Sequence, residues 1–260
     1  MAFARLRHAR RTDLLLASLL VGLGMGSGWA DASGLQVAPT TLSLRASQNA
    51  DGLWLSNAGD SVVHAQVRVY HWTQDDKGDQ LVASRGLVVS PPMLQLAIGD
   101  RQLIRVIRVG PPPNGNGAVE DAYRLAIDEL PVAAPDTAAN PKRGLQFVLH
   151  YSVPIFVEPA GAAAAPAQLQ WSLQRIGEQA QLQVSNRGGS HAQLAGLNFI
   201  DKSGHRTEIN PGLLGYVLPG ATMRWMLKPS AAVFAAGGTL EAMINGEKAT
   251  QNLALADRPR

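Results

Sequence analysis

Residues 144–159 read GLQFVLHYSVPIFVEP, and their pattern decides the architecture. Leu145, Phe147 and Leu149 alternate with Gln146, Val148 and His150. An apolar residue at every second position is what a β-strand with one greasy face requires. From Tyr151 to Val157 the run is almost continuously apolar, as expected of a strand buried on both faces. Pro154 cannot donate to a ladder, which places this part at a sheet edge or a bulge. A long strand with an uncovered edge is a template for pairing, and the partner expected here is a strand of another protein. The competing reading is that Leu145, Phe147 and Leu149 face the domain's own core, as alternating residues in most amphipathic strands do.

Outward from this stretch the chain is punctuated by small and turn-forming residues. Residues 132–143, VAAPDTAANPKR, form a loop directly before it, and residues 160–167, AGAAAAPA, form a small-residue linker directly after it. A domain boundary is expected in that linker. No helical period is sustained in residues 33–260, whereas short apolar or alternating runs recur between Gly, Pro, Asn and Asp clusters. Before the loop, strands are expected at 35–37, 41–44, 52–57, 64–72, 81–90, 93–96, 101–109 and 123–130. A second loop lies at 111–119, PPPNGNGAV. After the linker they are expected at 169–175, 180–186, 193–200, 213–217, 222–227, 239–244 and 250–255, with an Asp-Lys-Ser-Gly turn at 201–204. The fold class is therefore all-β: two immunoglobulin-like sandwiches, one over residues 33–159 and a smaller one over 168–260.

The first residues differ from the rest. Arg5, Arg7, Arg10 and Arg11 precede an apolar run from Leu14 to Met25, and Ala30-Asp31-Ala32 gives an A-x-A site. That is a secretory signal peptide over residues 1–32, cleaved near Ala32. The chain has no Cys, so an exported protein of this kind must be held by its cores alone, which suits the bacterial periplasm. The formal charge is +3; without those four Arg and Asp13 the remainder is near neutral, which gives nucleic-acid binding no electrostatic support.

Several motifs then accumulate in order: SPPMLQLAIGDRQLIRV at 90–106, EDAYRL at 120–125, ELP at 129–131, and GLQFVLHYSVPIFVEP. Together they resemble the periplasmic chaperones of pilus assembly, the PapD-like family. GYVLPG at 215–220 with Trp225 resembles the archaic or alternative branch of that family, which assembles spore-coat-like subunits. The resemblance implies two Ig-like domains in a boomerang arrangement, no catalytic site and no cofactor. It implies that the strand ending the first domain donates Leu145, Phe147, Leu149 and Tyr151 to a pilus subunit lacking its own last strand, and that an outer-membrane usher receives the complex. Strand addition of this kind draws affinity from backbone pairing and specificity from alternate side chains. Burying three such residues contributes on the order of 5–9 kcal/mol before ordering costs.

The resemblance also implies an interdomain ionic link through Arg105 and Glu120. Its third member, an Asp in the second domain, is missing from INGE at 244–247. In better-known members an Arg and a Lys hold the subunit's C-terminal carboxylate; the matching positions here are Thr41 and Pro154, neither a cation. A carboxylate in a partly desolvated cleft still needs a donor. If the 123–130 strand pairs antiparallel with 145–157, Arg124 lies beside residues 152–154, which makes it the candidate carboxylate anchor, with Thr41 and His150 as helpers.

Other chemistry finds no support. The histidines show no metal-ligand spacing, no nucleophile motif joins Ser, His and Asp, and no Gly-rich piece opens a helix. Pro91-Pro92 reads as a turn with a cis bond. No metal and no small-molecule substrate are expected. The rival reading is a secreted two-domain adhesin or structural surface subunit. An uncovered apolar edge also predicts self-association of the free chain.

Overall fold

The computed structural model describes residues 34–131, 148–161 and 164–257. The expected signal peptide, the 132–143 loop, Leu145 and Phe147 lie outside the described residues. The first half contains β1 (Leu35–Ala38), β2 (Leu42–Leu44), β3 (Ala50–Asn57), β4 (Val63–Asp75) and β5 (Gly78–Ala83). It continues with β6 (Leu87–Ser90), β7 (Met93–Leu96), β8 (Arg101–Arg108), β9 (Asp121–Leu130) and β10 (His150–Val157). These form two sheets, one ordered β1-β3-β8-β6 and the other β2-β10-β9-β4-β5 with β7 on β4. Their inner faces meet through Leu53, Leu55, Ile104, Val67, Leu125 and Ile155, all essentially solvent-free.

The second half contains β11 (Leu169–Ile176), β12 (Gln179–Asn186), β13 (Ala192–Asp201) and β14 (Arg206–Val217). It ends with β15 (Thr222–Ser230), β16 (Gly238–Ile244), β17 (Glu247–Leu253) and β18 (Leu255–Asp257). Its sheets are ordered β15-β12-β11-β18 and β14-β13-β16-β17. In β12, Ala180, Leu182 and Val184 are buried while the residues between them are not, the period of two that a half-solvated sheet imposes. The molecule is thus all-β, with two immunoglobulin-like sandwiches.

Three details differ from the sequence pattern. Residues 81–90 are not one strand: the chain leaves one sheet after β5 and enters the other at β6, crossing at Gly86. A side chain there would meet the Tyr123 hydroxyl at 2.6 Å, so the close crossing needs glycine. Residues 250–255 likewise divide between β17 and β18, which belong to different sheets. Third, β14 begins at Arg206, well before residue 213, directly after the turn in which Asp201 Oδ1 accepts from the backbone of Ser203 and His205.

Each sandwich is pinned by a buried asparagine that the sequence reading did not single out. Asn57 donates to the carbonyls of Ser61 and Leu96 and accepts from Gly59 N. Asn186 donates to the carbonyls of Ser190 and Val217 and accepts from Gly188 N. The signal was present as N-x-G-x-S, which occurs at 57–61 and again at 186–190. In both places a side chain satisfies backbone groups that the turn removes from the ladder.

The two cores are not insulated. Trp72, Ala122 and Phe156 from the first half belong to the apolar cluster of the second. The end of the linker is also tied down: Ala165 O accepts from Gly189 N, and just beyond it Gln168 O accepts from Arg187 N.

Candidate functional site

β10 is antiparallel to β9 from His150↔Asp128 through Val157↔Asp121. On its other side, β2 covers only Ile155, Phe156 and Val157, in a parallel pairing. Among the described residues, the edge of β10 from His150 to Pro154 carries no neighbouring strand. The boundary falls at Pro154, which has no N–H to offer; the expected edge placement of this proline resolves into the last rung before the cover begins.

The side chains of β10 sort by parity. Val153, Ile155 and Val157 enter the core of their own domain, and Tyr151 packs, partly buried, against the same core, as does Leu149, which precedes the strand because β10 begins at His150 and not, within the described residues, any earlier. The Tyr151 hydroxyl donates to Leu35 O at 2.6 Å, closing the gap between the two sheets beside the uncovered edge. In the free chain, then, Leu149 and Tyr151 lie against their own domain. Leu145 and Phe147, which share their sequence phase, lie outside the described residues. Opposite parity puts Phe156, fully buried, into the junction between the domains.

That junction is an aromatic stack. Phe156 lies parallel to the His191 ring at 3.5 Å, and Trp72 meets Tyr216 edge-on at 5.4 Å. Arg124 sits directly opposite Pro154 in the β9–β10 ladder. Its guanidinium lies 3.6 Å over the Trp72 ring and 5.1 Å from Tyr216. Burial pulls its pKa down from the usual arginine value, against the field of Asp79, yet a guanidinium remains protonated. Among the described residues no carboxylate forms an ion pair with Arg124 and no acceptor is hydrogen-bonded to it. A half-buried cation stacked on indole, with its donors unspent, is equipped to bind a carboxylate.

Thr41, exposed, immediately precedes the Leu42↔Ile155 pairing and so lies near Pro154 on the side of β10 away from Arg124. His150 is not at this place. It pairs with Asp128 at 2.6 Å, four rungs away, and Asp128 also binds Arg68 at 2.6 Å. Burial opposes ionisation of Asp128, but these two partners outweigh it and hold its carboxyl below the usual range.

Nor does the structure bring Arg105 and Glu120 together. Arg105 is exposed on β8 opposite Gly52 and makes no ion pair among the described residues. The partner of Glu120 is His191, with Nδ1 2.7 Å from Oε1 and the His191 backbone N–H donating to the same oxygen. A pattern of residue types in one sequence could not find this pairing, because it is made between domains by a histidine held flat on Phe156. A second polar bridge crosses the junction at Gln74, whose amide contacts the backbone of Tyr216 and Leu218. Trp225 explains the GYVLPG motif locally: a side chain at Gly215 would meet its indole at 3.2 Å.

Two family models match. Residues 34–163 match the pili and flagellar-assembly chaperone PapD N-terminal domain, and residues 164–243 match the pili assembly chaperone PapD C-terminal domain. The chain belongs to the PapD family of pilus assembly chaperones. Among solved structures, it is similar to the complex of the chaperone CsuC with the tip adhesion subunit CsuE from archaic chaperone-usher Csu pili of Acinetobacter baumannii. That match has a TM-score of 0.64 and 22% identity, covering 85% of this chain and 99% of the other. The E. coli chaperone DraB follows at a TM-score of 0.56 and 18% identity over 86% and 97% of the two chains. The SafA pilin complex with the SafB chaperone of Salmonella enterica gives 0.58 and 16% over 84% and 96%. No curated protein matches this sequence. Among the described residues there is no helix long and apolar enough to cross a membrane, and no cluster able to hold a metal.

Proposed function

We propose that this chaperone works in the periplasm, reached through the signal peptide at residues 1–32, and holds pilus subunits by completing their fold. The subunit's open groove takes the uncovered edge of β10 together with the residues just before it, with Leu145, Phe147 and Leu149 supplying alternate side chains and Tyr151 closing the row. Arg124, stacked in the junction, receives the subunit's C-terminal carboxylate, with Thr41 across β10 from it. An outer-membrane usher then takes the complex, and strand exchange releases the subunit without covalent chemistry. The observation that carries this reading is that β2 stops at Ile155 and that, among the described residues, no strand pairs with the rest of β10 along that edge. An extended segment aligned there gains main-chain hydrogen bonds and side-chain pockets together. The same edge is the surface through which the free chain would self-associate when no subunit is present.

Co-expression with a pilus subunit tests this. A soluble stoichiometric complex is expected from the wild-type chain, and Phe147→Asp should abolish it while leaving the melting temperature of the free chaperone unchanged. An unfolded Phe147→Asp chain, or one that still captures the subunit, would sink the donor-strand reading.

A further inference from the structure

We propose that Gln74 is a positioning residue that sets the Arg124 anchor by fixing the two domains against each other; the inference rests on the anchoring role given to Arg124 above. Gln74 lies near the end of β4, two residues after Trp72 and therefore on the same face of the strand. Its side-chain amide behaves like a peptide group inserted between domains. Oε1 accepts from Leu218 N at 2.9 Å, and Nε2 donates to Tyr216 O at 3.0 Å and to Asp79 Oδ1 at 2.8 Å. Only a side chain carrying both a donor and an acceptor at that reach makes this pairing.

Two of these three contacts lead to the anchor. Tyr216 is one wall of the Arg124 site, with its ring edge-on to Trp72 and 5.1 Å from the guanidinium. Asp79, opposite Gln74 in the β4–β5 ladder, is the carboxylate whose field acts on Arg124. One amide thus fixes the backbone that carries the second ring and holds the acid that biases the cation. The Glu120–His191 pair sits elsewhere in the junction, at the mouth of β9, and constrains a different point of contact. The ring contacts between the domains are apolar and tolerate sliding, whereas these two polar contacts are directional and constrain the domain angle. Gln74→Ala removes one of the two; Gln74→Glu goes further, setting a carboxylate against Tyr216 O and Asp79.

The probe is the subunit that co-purifies with the wild-type chain, used as isolated and with two glycines added at its C-terminus, which displaces the carboxylate. The wild-type chaperone should favour the native end, and Arg124→Ala should erase that preference. Gln74→Ala should reduce it by about tenfold, the size of one lost well-made hydrogen bond, and Gln74→Glu by more. Either change made on top of Arg124→Ala should add nothing to the loss. Residual dipolar couplings on the free chain should show an altered domain orientation in both Gln74 variants, with each domain's own amide pattern retained. Wild-type preference together with wild-type orientation would overturn the inference. If Arg124→Ala leaves the preference intact, the anchoring role fails, and with it the tie from Gln74 to capture. The orientation measurement then decides only whether Gln74 sets the domain angle.

Discussion

The two sandwiches close in the same way but with different remainders. In each, a strand late in the domain lies parallel to an early one along three residues: Ile155–Val157 beside Leu42–Leu44 in the first, Leu255–Asp257 beside Leu173–Arg175 in the second. In the second domain those three residues are all of β18. In the first, β10 is eight residues long and runs on upstream of its cover, where among the described residues it pairs with β9 alone. Among those residues the shared closure leaves an unpaired edge in one domain and takes up all of the closing strand in the other. Binding capacity of the kind proposed is therefore expected from the first domain, while the second contributes a wall of the junction.

Four experiments would break or sharpen this contrast. The largest effect belongs to the residue that joins the halves. Phe156→Ala empties a fully buried position in the shared core and should cost about 3–5 kcal/mol in denaturant unfolding. Two separate transitions in the wild-type protein, with only the first moved by the substitution, would mean that the cores are independent.

The paired asparagines come next. Asn57→Ala and Asn186→Ala should each cost about 1–3 kcal/mol, because each strands several buried backbone groups. Hydrogen exchange should localise the first loss to one domain and the second to the other. Equal exchange changes across both domains would contradict the view that each plug serves its own sandwich.

Tyr151→Phe should cost about 0.5–1.5 kcal/mol, the net worth of its hydrogen bond to Leu35 O, and should leave subunit capture intact. Capture lost along with the hydroxyl would show that the tie to β1 shapes the donating edge.

The smallest effect is electrostatic. Asp128 is held below its ordinary range, so its contribution to stability is present above the unfolded carboxylate value of about 3.9 and is lost as pH falls through the lower folded value. Arg68 is half exposed, which keeps the effect small. Asp128→Asn should be slightly less stable than wild type near neutrality and equal to it in strong acid; a gap that widens on acidification would reverse the sign.

Much of this molecule can be read from its letters. The period-two runs give the strands, Pro and Gly clusters give the turns, and ordered motifs such as EDAYRL and GYVLPG give the family. Hairpin arithmetic even puts Arg124 opposite Pro154 on β10, since an antiparallel ladder fixes register from its loop. The same arithmetic pairs His150 with Asp128, four rungs from Pro154, and so takes it away from the anchor; it does not reach Glu120, whose partner is His191 and not Arg105. The asparagine plugs were written twice, yet a lone polar residue at a strand end carries no mark of burial until a turn folds over it.

By itself, the sequence determined that the chain is all-β, that it makes two sandwiches, and that an almost continuously apolar strand over residues 151–157 ends the first. Only the tertiary structure decided that β2 stops covering that strand at Ile155, that Leu149 and Tyr151 rest on their own core, and that Arg124 stacks on Trp72 beside Tyr216. The reason is the range of the interactions. Periodicity reflects which face of a strand meets water and is local, whereas edge coverage and cation stacking depend on which distant strands and domains come to lie side by side.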